Sequence, residues 1–197
     1  MKFNEALKNR RSIYGLSKNI NHSDNQIKGI VEEAVLHVPS AFNSQSTRTA
    51  VLFGEHHDRL WSIVEENLRK ILSEEVFPET KNRIDLFKNA YGTVLFFEDN
   101  KVVKNLQEQF PLYKENFPTW AKHENGMLQF AIWTSLETEG MGASIQHYNP
   151  LIDKDVKSQW EIPDSWQLIA QMPFGAITEK PGKKEFMPLE QRVKVFK

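Results

Sequence analysis

Arg10, Arg11 and Ser12 are the first residues along the chain whose types and spacing suit a bound ligand. Each guanidinium is a planar donor fork that stays charged, and the serine adds a hydroxyl, so the three could hold a phosphate. The alternative is that the two cations stabilise the C-terminal end of a short helix capped by Asn4. Taken alone, the three residues favour the helix-end interpretation.

A polar loop from Pro39 to Arg48 carries two amide side chains, Asn43 and Gln45. Amides both donate and accept hydrogen bonds, and the pyrimidine edge of a flavin needs that mixture because it alternates carbonyl acceptors with an N–H donor. The alternative is turn chemistry, for which Asn, Ser and Pro are ordinary residues. Without other information the turn interpretation is favoured.

The glycine-rich turn Gly140-Met-Gly-Ala-Ser144 leads into a predicted strand that contains Ile145, Gln146 and His147. Glycines let the backbone approach a ligand or a helix closely, so the strand tip could present amides to a flavin ring near N5. The turn is not a dinucleotide fingerprint, because it follows a helix and Ile145 stands where the third glycine would be. A Rossmann site and a Walker loop are therefore unsupported.

Basic residues recur near the C-terminus, in Lys180-Pro-Gly-Lys-Lys184 and at Arg192. Either could close a phosphate site with the arginine pair near the N-terminus. A solvated charge cluster is the default interpretation.

Metal and hydrolytic sites lack the residues that they need. His56 and His57 are neighbours between acidic residues, but HExxH spacing and a third ligand are both missing. We therefore predict no metal site. The chain contains no cysteine and no Gly-x-Ser-x-Gly elbow, so no nucleophile for hydrolysis stands out.

The composition indicates a globular chain that folds as a single domain over residues 1–197. Hydrophobic residues make up 40% of the sequence, and no repeat or low-complexity linker interrupts it. The formal net charge of −1 argues against a broad basic face that binds nucleic acid. No apolar run reaches the ~20 residues of a membrane-spanning helix, and the charged N-terminus lacks a signal-peptide core. We therefore expect a cytoplasmic protein without a membrane segment.

Hydrophobic spacing predicts an α+β fold in which helices and strands interleave irregularly. Ser23 and Gln26 have capping-box spacing at the start of a helix that Pro39 ends. The nearly unbroken apolar stretch Thr93–Phe97 is typical of a central strand. A long helix is predicted over Trp120–Glu139, with Met127, Phe130, Ala131, Thr134 and Leu136 facing inward. Further strands are predicted over Thr49–Phe53, Trp166–Met172 and Arg192–Phe196.

The order of these clusters along one chain resembles the nitroreductase superfamily of flavin mononucleotide (FMN) proteins. Arg10-Arg-Ser12 resembles its phosphate motif, Pro39-Ser-Ala-Phe-Asn-Ser-Gln45 its flavin loop, and Gly140-Met-Gly-Ala-Ser144 the turn before the strand that passes the flavin. Further segments resemble a shorter subgroup that includes a yeast fatty-acid-repression protein and bacterial copper-induced nitroreductases: Gln109–Tyr113, Gly126–Phe130, Ser144–Asn149, Ala170–Gly175 and Arg192–Phe196. Together these segments cover nearly the whole chain.

The resemblance implies a three-layer α+β fold, with a mainly antiparallel sheet flanked by helices, and a homodimer that binds FMN in clefts at its interface. It assigns Arg10, Arg11 and Ser12 to the phosphate and ribityl end of FMN. A basic residue of the tail would also reach the phosphate, with Lys184 and Arg192 as alternatives.

The resemblance assigns the ring end of FMN to two other segments. Asn43 and Gln45 would meet the flavin ring or its ribityl chain. Ile145, Gln146 and His147 would line the ring near N5 and O4, partly through the backbone. The strand here reads Ile-Gln-His-Tyr, which departs from the Pro-Ile-Gly or Pro-Ile-Glu pattern of longer family members.

The implied activity is a ping-pong reaction in which NAD(P)H passes a hydride to flavin N5 and leaves before a small-molecule electron acceptor binds. Nitroaromatics and quinones are the implied acceptors. The alternative functions are a flavin-binding regulatory protein with little turnover and a cofactor-free interaction domain. The aromatic segment 110–120 would either cover the acceptor slot or form part of a dimer core.

Overall fold

The most apolar stretch of the sequence forms the central strand β3, Gly92–Asp99, in the computed structural model, which describes residues 2–197. Every residue of β3 is buried, because the strand is covered on both faces. The strand β2 (Thr47–Phe53) pairs with one edge of β3, and β5 (Trp166–Ile177) pairs with the other. Both pairings are antiparallel, and the predicted central strand is confirmed.

Two short strands extend the sheet at the C-terminal end of β5. They are β1 (Leu16–Ser17) and β4 (Met141–Ala143), each antiparallel to β5. Within residues 2–197 the sheet thus has five strands, in the order β1-β5-β3-β2 with β4 beside β5. A parallel bridge between Ser12 and Ala143 attaches the Arg-Arg-Ser segment to this edge.

Helices cover both faces of the sheet. Their bounds are α1 (Phe3–Asn9), α2 (Asp24–His37), α3 (Gly54–Arg69), α4 (Phe77–Lys88), α5 (Asn100–Gln109), α6 (Phe117–Thr138) and α7 (Asp153–Gln159). The capping box at α2 is present, because Ser23 N donates to Gln26 Oε1 at 2.8 Å and Gln26 N donates to Ser23 Oγ at 3.4 Å. Asn4 does not cap α1 as predicted. The Glu5 carboxylate accepts a hydrogen bond from Lys2 N at 3.1 Å, so the helix starts earlier.

Alternate residues of β3 face two separate cores, because side chains along a strand point to opposite faces. Val94 and Phe96 pack under α2 and α6 in one core. Leu95 and Phe97 pack under α3, α4 and α7 in the other. The result is the three-layer α+β fold expected from the resemblance.

The predicted strand over Arg192–Phe196 is wrong. These residues follow a short 3₁₀ turn, Leu189–Gln191, and have no regular structure. Val195 and Phe196 are 72% and 93% exposed. Alternating apolar and polar residues fit a strand, but a strand also needs a partner edge, and none of the described strands pairs with this segment.

The inward-facing side of α6 was also predicted incorrectly at two positions. Met127 and Phe130 are 43% and 37% exposed, whereas Thr134 and Leu136 are buried as predicted. The helix is apolar on more than one side, and the side that meets the sheet is the row Leu128, Ile132 and Leu136. Periodicity alone does not distinguish two apolar faces.

Candidate functional site

The Arg10–Ser12 segment is held beside β4 by its backbone. Ile13 N donates to Ala143 O at 3.0 Å. Gly142 lies in this contact, where an added Cβ would be 2.8 Å from Ile177 Cγ1 and 3.0 Å from Ile13 Cβ. The glycine-rich turn therefore lets the arginine segment lie directly against the sheet edge.

Arg11 opens onto two adjoining surface cavities of about 670 and 410 Å³, and Ser12 lines the smaller one. Arg11 and Lys180 line both cavities, and Lys8 lines the larger one. Glu137 and Glu179 add two carboxylates to the wall of the larger cavity, and Glu179 also lines the smaller one. Cations outnumber carboxylates by one in each cavity, so the concave surface still attracts a phosphate, to which a serine hydroxyl can also donate. This donor set fits the phosphate end of FMN.

Arg10 points in a different direction from Arg11. Its guanidinium carbon lies 4.2 Å from the ring centroid of Trp133 on α6, which is a cation–π contact. Burial lowers the pKa of Arg10, and the nearby charge of Glu137 opposes that shift. Arg10 Nε is buried without a hydrogen-bond partner. Arg10 thus braces the segment against α6, while Arg11 faces the cavities.

The strand predicted to contain Ile145, Gln146 and His147 is present only as an extended segment, which meets β5 through a single antiparallel bridge between Gln146 and Gln171. Gln146 N donates to Gln171 O at 2.7 Å, and Gln171 N donates to Gln146 O at 2.9 Å. Backbone groups alternate in direction along a strand, so those of Ile145 and His147 face away from β5. The Ile145 side chain packs against the core, and His147 is exposed. A planar ligand at this edge would meet the backbone of Ile145 and His147.

The amide loop adopts a backbone conformation that non-glycine residues rarely take. Phe42, Asn43 and Gln45 have φ values of 56°, 52° and 48°, in the left-handed region. Each such residue costs about 1–3 kcal/mol, so other contacts must hold the loop. The Glu124 carboxylate on α6 accepts hydrogen bonds of 2.9 to 3.4 Å from Ser44, Ser46 and Thr47. Asn43 and Gln45 themselves are exposed.

The amide loop and the arginine segment lie near opposite ends of α6. Glu124 contacts the loop, whereas Trp133 and Glu137 lie beside Arg10. At about 1.5 Å per residue, the stretch of α6 from Glu124 to Glu137 is about 20 Å long. One chain therefore does not bring the two halves of the predicted flavin site together.

The two predicted tail residues, Lys184 and Arg192, are exposed. Lys184 Nζ lies 5.2 Å from the ring centroid of Phe186, and neither cation lines the cavities at Arg11. Lys180, the first residue of the same basic segment, lines both cavities instead. The sequence indicated the segment, but the residue depends on how the chain turns after β5.

Sequence reasoning missed two buried acids under the amide loop, Glu98 at the end of β3 and Glu124 on α6. They are 5% and 2% exposed. Burial raises the pKa of Glu98 to about 7, and the charge of Glu124 adds to the shift. Glu98 Oε1 has no hydrogen-bond partner, and Glu98 lines a cavity of about 340 Å³ between α5 and α6. A carboxylate directly after an apolar central strand was the available signal.

His57 has a structural environment in the α3 core. Its Nε2 lies 3.2 Å from Lys88 O and its Nδ1 lies 2.9 Å from Thr93 Oγ1. A carbonyl only accepts, so Nε2 carries the proton and Nδ1 accepts from the Thr93 hydroxyl. Burial lowers the pKa of His57 to about 4.

No group of three or more His, Cys, Asp or Glu side chains within residues 2–197 could hold a metal ion. None of the helices in the same range combines the length and apolar character needed to cross a bilayer.

A three-layer α+β fold with a cation-lined cavity beside a glycine turn is typical of flavin-dependent oxidoreductases. The chain belongs to the Nitroreductase family, whose family model matches residues 7–176. It is 34% identical over 194 residues to the Saccharomyces cerevisiae protein HBN1, covering 98% of this chain and 95% of that protein. It is also 34% identical over 185 residues to nitroreductase FRM2 of the same yeast, covering 92% and 91%.

Solved structures share the fold. Nitroreductase CinD from Lactococcus lactis in complex with nicotinic acid is 44% identical, with 100% of both chains covered and a TM-score of 0.93. CinD structures with chloramphenicol and with 4-nitrophenol are each 43% identical, with 100% of both chains covered and a TM-score of 0.91. A structure from Exiguobacterium sibiricum in complex with FMN has the same fold at 16% identity, with 100% and 98% covered and a TM-score of 0.71.

Proposed function

We propose that this protein is an NAD(P)H-dependent FMN oxidoreductase that reduces nitroaromatic acceptors, with quinones as a second acceptor class. The observation that carries the proposal is the cavity lined by Arg11, Ser12 and Lys180, in which Ser12 is bridged to Ala143, two residues before Ile145. Family membership and the CinD complexes with 4-nitrophenol and chloramphenicol, both nitroaromatic, support it. Because NAD(P)H is an intracellular reductant, we place the activity in the cytoplasm.

The residues of this chain would bind and orient the cofactor. Arg11 and Lys180 would hold the phosphate through charge-assisted hydrogen bonds, and Ser12 would donate its hydroxyl. The outward backbone groups of Ile145 and His147 would meet the edge of the ring. FMN bound there supplies hydride transfer, first from NAD(P)H and then to the acceptor, in a ping-pong cycle. Lys184 and Arg192 would reach the phosphate only if the tail were to fold back.

We further propose that two copies complete each site. Exposed apolar side chains occur on α2, α6 and the tail, including Leu36, Phe130 and Phe196 at 72%, 37% and 93% exposure. Such surfaces are typically buried in interfaces. A homodimer could also place Asn43 and Gln45 of one copy opposite Arg11 of the other, which the separation of about 20 Å along α6 prevents within one chain.

The first test is spectroscopic. Purified protein, incubated with FMN and desalted, should retain a flavin absorption band that anaerobic NADH or NADPH bleaches. Adding 4-nitrophenol or chloramphenicol should restore the band. Bleaching without reoxidation by any nitroaromatic or quinone would instead support the regulatory function, and no retained flavin would contradict the proposal.

The second test concerns Arg11. Arg11→Ala should raise the FMN dissociation constant about tenfold or more, since a charge-assisted contact to phosphate contributes about 1.5–3 kcal/mol. The melting temperature of the apoprotein should hardly change. Arg59→Ala is the matched control, because Arg59 is exposed on α3 and pairs with Glu66 at 2.7 Å. An unchanged FMN dissociation constant in Arg11→Ala would count against the assignment.

A mixed dimer tests whether the two copies share each site. One copy carries Arg11→Ala and the other carries Gln45→Ala. If the arginine and the loop of different copies meet, one site contains both changes and the other contains neither, so the mixed dimer should bind one FMN with wild-type affinity. If each copy builds its own site, both sites carry one change and both should be weakened.

A further inference from the structure

Phe42 connects the amide loop to the aromatic segment that follows α5. Its ring centroid lies 4.8 Å from that of Phe110, 5.4 Å from Phe117 and 5.7 Å from Tyr113. It is also stacked on Trp120, with centroids 6.0 Å apart and planes 19° from parallel. We call these five residues the aromatic cluster. The cluster joins the loop to the first turns of α6 by ring contacts alone.

The ring contacts of Phe42 lie where the backbone of the amide loop is left-handed. Phe42 has a φ of 56°, and Asn43 directly after it has a φ of 52°. The left-handed region is disfavoured for phenylalanine much more than for asparagine, so Phe42 would relax if nothing held it. Hydrogen bonds to Glu124 hold Ser44, Ser46 and Thr47. On the N-terminal side, Ser40 accepts hydrogen bonds from Asn43 N at 3.1 Å and Gln45 N at 3.0 Å, and the ring of Phe42 adds an apolar anchor.

Phe42 lies outside the two large cores of the protein. Its side chain is 50% exposed, and it is not part of the clusters that surround β3. Its replacement should therefore leave the sheet and the helices packed against it unchanged. The contacts of Phe42 affect the conformation of the loop more than the stability of the fold.

We propose that Phe42 is a positioning residue, which holds Asn43 and Gln45 in the conformation that binds FMN and couples FMN affinity to the segment Phe110–Trp120. This inference rests on the proposed function, because it requires that Asn43 and Gln45 contact FMN. Preorganised contacts bind more tightly because less ordering is lost on binding. A change in the aromatic segment should then alter FMN affinity although the segment contributes no polar group to the cofactor.

The test compares Phe42→Leu with Phe42→Tyr in the FMN-loaded full-length protein. Flavin fluorescence gives the FMN dissociation constant, and thermal unfolding of the apoprotein gives the melting temperature. Loss of one good aromatic pair corresponds to a change of about two- to tenfold, so we expect Phe42→Leu to raise the dissociation constant by a factor in this range and Phe42→Tyr to leave it unchanged. Leu86→Ala, an exposed apolar residue on α4, is the control and should change neither value.

A double-mutant cycle distinguishes positioning from independent local effects. Tyr113→Leu alone should also raise the dissociation constant, but adding it to Phe42→Leu should add little, because contacting residues are non-additive. Additive effects, an unchanged dissociation constant in Phe42→Leu, or a changed oligomeric state in that variant would each overturn the proposal. If wild-type protein binds no FMN, the proposed function fails. If wild type binds FMN and Phe42→Leu binds equally well, only the positioning role fails.

Discussion

Replacing Glu98 by glutamine should stabilise the protein increasingly as the pH rises. Glu98 is 5% exposed, and burial raises its pKa from 4.5 to about 7. As the pH rises through 4.5, the unfolded chain loses this proton while the folded chain keeps it. The destabilisation of the folded wild-type protein by Glu98 grows with pH until the folded carboxyl also ionises, and it reaches its full value above pH 7. A difference of about 2.5 pKa units corresponds to about 3 kcal/mol.

Urea unfolding of the apoprotein at about pH 5 and about pH 8 measures the effect, with equal protein concentrations and no FMN in any sample, because bound FMN would add a pH-dependent binding free energy. Between these two pH values, Glu98→Gln should gain about 2–3 kcal/mol relative to wild type. Hydrogen bonds changed by the substitution shift the unfolding free energy equally at both pH values, so their effect cancels in this comparison. Glu32→Gln is the control, because Glu32 is exposed and pairs with Lys28 at 3.3 Å. If the stability difference between Glu98→Gln and wild type is equal at both pH values, the reasoning is refuted.

His57 and Gly142 give two further predictions about stability. Burial lowers the pKa of His57 from 6.5 to about 4, so its neutral ring stabilises the fold above pH 6.5 and this contribution is lost as the pH falls towards 4. In urea unfolding, His57→Gln should remove up to about 3 kcal/mol of that pH dependence. If the unfolding free energy of His57→Gln changes with pH as much as that of wild type, His57 is not the group responsible. Gly142→Ala should cost about 1–3 kcal/mol, because the new Cβ would crowd Ile177 and Ile13. Gly29→Ala on α2, where nothing lies within 4 Å, is the control and should not lower the melting temperature.

Local signals predicted much of the fold. The capping box at Ser23 depends on residues that are neighbours in the sequence, and the apolar run Thr93–Phe97 reflects complete burial of a strand. Both can therefore be recognised from the sequence alone. The errors concern surfaces whose burial depends on distant contacts. Phe130 and Phe196 are apolar but exposed within one chain. Periodicity shows that a side chain is apolar but does not show which part of the molecule covers it.

The sequence predicted which residue types line the candidate site, but not the direction in which each side chain points. Arg10 and Arg11 look equivalent in the sequence, yet one packs on Trp133 and the other lines the cavities. The difference follows from the alternating direction of side chains along an extended segment beside β4. Lys180 enters the cavity wall because the chain turns after β5, which a charge pattern does not specify. The assignment of every predicted FMN contact remains a prediction.

The amide loop has a polar support and an apolar support, which should respond to different perturbations. Glu124 accepts the hydrogen bonds of Ser44, Ser46 and Thr47. Its charge contributes to the raised pKa of Glu98, so ionisation of Glu98 changes the electrostatic field at this polar support. The ring contacts of Phe42 carry no charge and should not change with pH. FMN affinity should therefore fall as the pH rises through about 7 in wild type, and Glu98→Gln should reduce that dependence. Phe42→Leu should weaken binding by the same factor at each pH, and a factor that varies with pH would show that the two supports are not independent.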